Sequence, residues 1–232
     1  PLARVESLDW LEVEPEGRLK FTIDRTTAGE SFVFISPDIA TCPECLKEIE
    51  TPGERRYRYP FTNCTNCGPR YTIVKKLPYD RENTTMASFK MCPDCRLEYE
   101  NPLDRRYHAQ PIACPQCGPQ LVLLETRSRK SVADPLETAV HLVKQGKILA
   151  VKGLGGFHLI CDPFNLQAVR RLRKIKQRRV KPLALMARDV ETVARYAYLS
   201  QAERDWLISS RRPIVLLRKK KDIPEIAPEA DT

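Results

Sequence analysis

CPECLKEIETPGERRYRYPFTNCTNCGPR, residues 42–70, and CPDCRLEYENPLDRRYHAQPIACPQCGPQ, residues 92–120, align without a gap. Cys42, Pro43, Cys45, Glu48, Glu50, Pro52, Arg55, Arg56, Tyr57, Cys64, Cys67, Gly68 and Pro69 each recur 50 residues later. Within each copy the cysteines run C-x2-C-x18-C-x2-C. A two-residue gap lets both thiolates of a pair turn towards one point, as tetrahedral zinc requires at about 2.3 Å per Zn–S bond. Disulfide frameworks belong to short secreted chains, whereas four uniform C-x2-C pairs in 232 residues favour metal. Iron–sulfur ligation and redox thiols are the remaining readings. The repeat therefore predicts two zinc ions. The simplest pairing closes each within one copy, on Cys42, Cys45, Cys64 and Cys67, then on Cys92, Cys95, Cys114 and Cys117. Interleaving between copies is the alternative that the spacing leaves open. Four thiolates leave no open position for water or substrate, so the role is structural rather than hydrolytic.

Each copy is too polar to build a core unaided, so metal must supply much of its folding energy. Gly68 and Gly118 follow the second pair and suit a tight knuckle that turns backbone N–H groups towards sulfur. The repeated Arg-Arg-Tyr (Arg55, Arg56, Tyr57; Arg105, Arg106, Tyr107) is either a stacking surface for nucleic acid or protein, or a salt-bridged turn. The second reading is favoured, because charge clusters usually pair. His108 stands where the first copy has Arg58, and is a minor candidate for metal contact.

Working outward, no run approaches the 18 apolar residues of a membrane-spanning helix, and no secretory signal is visible at the start. Apolar residues at 42% and charged residues at 30% exclude wholesale disorder. Free thiolates as metal ligands imply a reducing compartment, and the expected location is the cytoplasm. The chain carries a net charge of +9, unevenly distributed. Residues 1–41 hold four basic and eight acidic side chains, and residues 42–120 hold twelve and ten. Residues 121–232 hold 23 and 12. Alternation at Leu19, Phe21 and Ile23, then at Phe32 to Ile35, suggests one or two amino-terminal strands.

From Asp134 helices and strands alternate. Asp134 caps a helix that opens with Pro135 and runs to Gly146. Ile148 to Val151 reads as a buried strand, and Phe157 to Asp162 as a second apolar stretch. Asn165 to Lys176 is helical, Leu183 to Met186 a strand, and Asp189 to Tyr196 and Ser200 to Ser209 short helices. Pro213 to Leu217 is a further strand. This pattern predicts an α/β sandwich with a largely buried sheet. Lys219 to Thr232 is charged and supplies no closing element, so the domain is expected to be incomplete.

Between Lys144 and Arg188 stand twelve basic residues and one acid, Asp162, a balance suited to phosphate or nucleic acid. Several of Arg170 to Lys174 are expected to form a solvated helix face, with Leu172 or Arg173 on the opposite, apolar face beside Leu166 and Val169. Lys176, Arg178 and Lys181 lie between a helix and an expected strand, where α/β sheets commonly bind ligands. Lys152 follows a strand and precedes Gly153, Gly155 and Gly156, whose bare backbone would let phosphate approach. The loop is neither a Walker A motif nor a dinucleotide fingerprint. Cys161 reads as a core thiol. His158 reads as a core histidine, with ligand contact the second option.

The cysteine spacing, Pro78-Tyr79-Asp80-Arg81 with Thr85-Met86 and Phe89-Lys90-Met91-Cys92, and Lys152-Gly153-Leu154-Gly155-Gly156-Phe157-His158-Leu159 closely resemble the HypF-type hydrogenase-maturation carbamoyltransferases. The resemblance spans nearly the whole chain. It implies an α+β, multidomain fold: the tail of an acylphosphatase-like domain at 1–12, a linker at 13–41, a tandem zinc-finger module at 42–120, a linker at 121–133 and the first half of a YrdC-like nucleotide-binding domain at 134–232. It implies a reaction in which carbamoyl phosphate is hydrolysed and carbamate is joined to AMP from ATP, with Mg2+ accompanying the nucleotide. The carbamoyl group then passes to the C-terminal cysteine of a partner maturation protein, towards the cyanide ligand of a nickel–iron hydrogenase. Carried over by position, the nucleotide loop resembles Lys176-Gln177-Arg178 with Lys181, and Lys152 takes the glycine-loop position. Two alternatives are a threonylcarbamoyl-adenylate synthase-like enzyme, which does not need the zinc modules, and a zinc-ribbon nucleic-acid binder. Binding of double-stranded RNA or DNA and association with a membrane are not expected.

Overall fold

In both repeats a cysteine is followed by proline, and the chain turns into a helix at that point. The computed structural model describes residues 5, 7–15, 17, 34–126, 128, 130–178 and 180–220. Helices α1 (Pro43–Glu50) and α2 (Pro93–Glu100) start with Cys42 and Cys92 as N-caps and proline in the first turn. Proline fits there because its missing N–H would have had no helical partner. Both caps have extended backbone and no side-chain capping bond, which leaves the sulfurs free to serve elsewhere.

The chain divides between Gly118 and Pro119. Among the described residues of the first unit, three small clusters take the place of a single core. Two are built on sulfur: Cys45, Cys64 and Cys67 beside Ile39, and Cys92, Cys95 and Cys114 with Ala109 and Ile112. The third joins Tyr59, Ile73, Met86 and Ala113, with Phe61, Tyr79 and Phe89 around it. The segment between the repeats, folded into short 3-10 turns at Tyr71–Ile73, Arg81–Asn83 and Thr85–Ser88, supplies most of this third cluster. The Arg81 guanidinium donates to the carbonyls of Gln110, Ile112 and Phe89, which ties that segment to the second repeat.

The two repeat glycines do different work. Gly68 has φ +98°, and a Cβ there would stand 2.6 Å from Asn63 Cβ. Gly118 lacks the positive φ, but a Cβ would fall 2.2 Å from the Tyr59 hydroxyl and 2.5 Å from Ala113 Cβ. In the first knuckle a backbone N–H turns to sulfur as expected, from Asn66 to Cys64 Sγ at 3.3 Å, while the Gly68 N–H donates to Ile39 O and that of Gly118 to Cys114 O.

The second unit begins with α3 (Pro135–Lys144), capped by the Asp134 carboxylate accepting from the Glu137 N–H. Strands β1 (Leu149–Lys152) and β2 (Phe157–Ile160) pair antiparallel, Leu149 opposite Ile160 and Lys152 opposite Phe157. Four intervening residues are too few for a crossover, so only a hairpin can join them. Helix α4 (Leu166–Lys176) buries Ala168, Val169, Leu172 and Arg173. Helices α5 (Val190–Tyr196) and α6 (Gln201–Ile208) follow, capped by Asp189 and by a Ser200/Glu203 capping box.

The buried sheet expected from sequence differs from what is found. Among the described residues the sheet is this one hairpin, and its strands are largely exposed. Leu183 to Met186 and Pro213 to Leu217 form no ladder; Met186 is 99% and Ile214 83% exposed. An apolar run has strand propensity, but a strand exists only where a neighbour takes its backbone hydrogen bonds. The second run ends at such a neighbour: Ala197 bridges Lys219, and the Tyr198 N–H donates to Arg218 O at 2.8 Å. The amino-terminal strands expected around Leu19 to Ile23 and at Phe32 lie outside the described residues, while Phe34 and Ile35 fall in no strand.

Candidate metal centres and phosphate loop

An α-helix N-terminus favours negative charge, and a thiolate is a negative charge. Cys42 and Cys45 sit on the first turn of α1, and Cys92 and Cys95 on that of α2. The other pairs close as knuckles, with the Cys67 N–H donating to Cys64 O and the Cys117 N–H to Cys114 O. The Arg70 guanidinium donates to the carbonyls of Cys64, Thr65, Cys67 and Pro69 and holds the first knuckle in shape.

The four sulfurs of each repeat converge. Neighbouring Sγ atoms are 3.5 to 3.8 Å apart in the first set and 3.6 to 3.7 Å in the second. A disulfide would need about 2.0 Å. A tetrahedron with Zn–S bonds of about 2.3 Å has edges of about 3.8 Å, which is the spacing found. Both sets therefore fit a structural zinc ion, and each closes within one repeat rather than between repeats. Burial drives the Cys42 thiol up to about 11, while Cys64, hydrogen-bonded by Cys45 and Cys67, is held far below the ordinary thiol range. Only a cation lets all four sulfurs ionise together. Metal analysis of the chain should accordingly find about two zinc ions. Chelation should unfold the 42–120 module before α3 to α6, followed by circular dichroism.

The Arg-Arg-Tyr repeats are salt-bridged, but across the repeats. Arg55 Nη1 donates to Cys95 Sγ at 3.3 Å and Nη2 to Glu98 at 2.6 Å. Its counterpart Arg105 donates to Cys45 Sγ at 3.2 Å and to Glu48 at 2.5 Å. Arg56, 2% exposed, reaches Glu98 at 2.5 Å and Ala113 O at 2.8 Å; Arg106, 3% exposed, reaches Glu48 at 2.5 Å and Asn63 O at 2.9 Å. Every partner is shifted by the same 50 residues. His108 belongs to neither sulfur set and stacks against Tyr99 and Tyr107 at 4.8 and 4.6 Å between ring centroids.

In the second unit Lys176, Arg178 and Lys181 share one helix end and the loop after it. Gln177, at φ +50°, ends α4, and the Arg178 N–H donates to Arg173 O. Leu172 and Arg173, the alternatives for the apolar face beside Val169, are both buried. Arg173 is 6% exposed and donates from Nη1 to Arg178 O at 2.8 Å and to Lys181 O at 3.1 Å. Its grip on the loop carbonyls is what the sequence did not show. Arg178 Nε is buried and has no hydrogen-bond acceptor among the described residues. Lys152 sits on a different element, at the end of β1, with its ammonium 5.4 Å from the Phe157 ring centroid. The glycines after it form a hairpin loop closed by the Gly153 N–H to Gly156 O, and no helix N-terminus follows them. A side chain at Gly155 or Gly156 would meet nothing. His158 lies on β2 opposite Val151, with its ring against Gly153. Cys161 is half-buried, and burial pushes its thiol up.

These two arrangements define a tandem zinc-finger protein carrying a YrdC-like domain. Residues 41–74 and 91–124 match the HypF finger family, and residues 141–232 match the Sua5/YciO/YrdC family, described as telomere recombination. The chain is similar along nearly its whole length to carbamoyltransferases named HypF. It is 49% identical over 230 residues to carbamoyltransferase HypF2 of Cupriavidus necator, covering 96% of this chain and 28% of that protein. It is 46% identical to a probable carbamoyltransferase HypF of Methanocaldococcus jannaschii, over 96% of this chain and 29% of the relative. A crystal structure of full-length HypF in the phosphate- and nucleotide-bound form matches with TM-score 0.80 and 48% identity, over 86% of this chain and 26% of that one. A crystal structure of T.kodakarensis HypF matches with TM-score 0.81 and 52% identity, over 86% of this chain and 27% of that one. The chain thus spans little more than a quarter of the relatives it matches. No helix among the described residues is long and apolar enough to cross a membrane.

Proposed function

We propose that this chain is the zinc-module and nucleotide-domain portion of an enzyme that uses carbamoyl phosphate and ATP to form carbamoyl-adenylate. The carbamoyl group then goes to the C-terminal cysteine of a hydrogenase-maturation partner, as a precursor of a cyanide ligand of nickel–iron hydrogenase. The observation that carries this reading is the 49% identity, over 96% of this chain and so through both modules, to a named carbamoyltransferase.

The chemistry of the second unit supports it. Cleavage of ATP between the α- and β-phosphates builds negative charge on AMP and pyrophosphate, and fixed cations lower that barrier. Lys176, Arg178 and Lys181 are the residues proposed to hold the phosphates, with Lys152 on the hairpin. Mg2+, bound with the triphosphate, supplies further charge neutralisation. Arg173 acts as a positioning residue: by gripping the carbonyls of Arg178 and Lys181 it fixes the loop before any ligand arrives. The zinc ions keep a structural role, and the protein acts in the cytoplasm.

Calorimetric titration separates this reading from nucleic-acid binding. ATP should bind saturably, and Lys152→Ala and Arg178→Ala should each weaken it on the order of tenfold, the loss of one charge-assisted contact. Arg173→Met should weaken it with less effect on the thermal midpoint of the first unit. Oligonucleotide affinity that falls steeply with salt, without ATP binding, would reject the proposal. A threonylcarbamoyl-AMP synthase of Methylococcus capsulatus is 42% identical over 59 residues, a quarter of this chain. That similarity extends over too little of the chain to include both finger repeats and the YrdC-like match, so the carbamoyltransferase reading is preferred.

A further inference from the structure

The two zinc sites do not share a ligand, yet neither is finished by its own repeat. On α1 the Cys45 sulfur and the Glu48 carboxylate lie three residues apart and so face the same way. Together they form a two-point acceptor. The guanidinium that fills it, Arg105, comes from the second repeat, with Arg106 behind it. Reciprocally, Cys95 and Glu98 on α2 receive Arg55 and Arg56 from the first repeat. A zinc ion with four thiolates carries a net charge of −2, and N–H donors to sulfur spread that charge.

The arms are held by the repeat that they leave. The Arg58 N–H donates to Ile49 O at the end of α1, and the Tyr57 N–H to Glu54 O; His108 and Tyr107 repeat this with Tyr99 and Asp104. Those turns hang from helices whose first turns are metal sites. Metal in one site therefore orders the helix and turn that present the arginine pair to the other.

We propose that the two metal sites load cooperatively, because each repeat supplies the guanidinium fork that completes the other's thiolate site. Coupling of this kind is reciprocal, so metal in either site raises the affinity of its neighbour by the same factor. The inference needs only the sulfur geometry and the cross-repeat bonds. It is independent of the carbamoyl-transfer reading.

The test is titration of the reduced, metal-free 232-residue chain with zinc against a competing chelator. Native mass spectrometry counts chains holding no, one and two ions. Independent equal sites leave half of the chains singly loaded at the midpoint; tenfold coupling, within the usual range, cuts that to about one quarter. Arg55→Lys with Arg105→Lys keeps the charge but loses the fork, and should return the singly loaded share towards one half. A second measurement covers the case in which that variant folds poorly. Cys64→Ser, which disables the first site, and Cys114→Ser, which disables the second, should weaken the surviving site by the same factor. A statistical midpoint in the parent chain overturns the proposal, as does coupling unchanged in the lysine pair or unequal effects of the two serine variants. Failure to take up metal at all would instead overturn the zinc reading.

Discussion

Cys45→Ser should release one zinc ion per chain and unfold the module around it. The Cys45 sulfur is fully buried, lies 3.5 Å from Cys67 Sγ and accepts the Arg105 hydrogen bond. Two of the three clusters in this unit are made mainly of ligand sulfurs, so little apolar packing remains once the metal leaves. A structural four-thiolate site contributes about 10–16 kcal/mol of apparent binding energy at neutral pH, more than the stability of most small domains. Metal analysis should fall from two ions to one or fewer, with loss of helical circular dichroism from α1. Cys161→Ser, outside both sulfur sets, should keep both ions. Two ions retained in Cys45→Ser would remove that sulfur from the ligand set.

Glu98→Gln is the second large effect. The substitution leaves Arg56, almost wholly buried, facing a neutral amide, and strips Arg55 of its carboxylate. Breaking such a pair from one side costs about 3–5 kcal/mol, because the remaining charge stays desolvated. The carboxyl's own titration gives a similar figure. Burial raises its pKa, but hydrogen bonds from Arg56 and Arg55 outweigh burial and hold it down at about 2. Lowering from the ordinary 4.5 corresponds to roughly 3 kcal/mol. Because the folded value is depressed, this stabilisation is complete above pH 4.5 and disappears as pH falls from 4.5 towards 2. The gap in denaturant stability between Glu98→Gln and the parent chain should therefore be full at pH 7 and narrow only on acidification below 4.5. A gap that is absent at pH 7 would show that the pair contributes nothing net.

The gathering of eight cysteines into two sets of four was legible because metal geometry is written in short, local spacing. So were the helix starts at Asp134, Asn165, Asp189 and Ser200, whose caps act within three residues. What the spacing could not decide was anything set by distant partners. Arg55 and Arg56 read as a salt-bridged turn, and they do pair, but with Glu98 more than 40 residues away. Arg173 was readable as an alternative to Leu172 on the apolar face of its helix, but its bonds to the Arg178 and Lys181 carbonyls depend on how the following loop folds. Leu183 to Met186 and Pro213 to Leu217 have the composition of strands and lack ladder partners among the described residues. The short loop between Lys152 and Phe157 was itself a hairpin signal, overshadowed by its glycines.

The arginine arms that cross between the repeats make the duplication hard to undo. A descendant keeping one copy would lose the arginine pair that occupies its sulfur and glutamate, while its own pair would be left without the acceptors it serves. A substitution in either arm would be felt first in the opposite copy. The pair is in this sense inherited as an indivisible unit, each half the custodian of its twin.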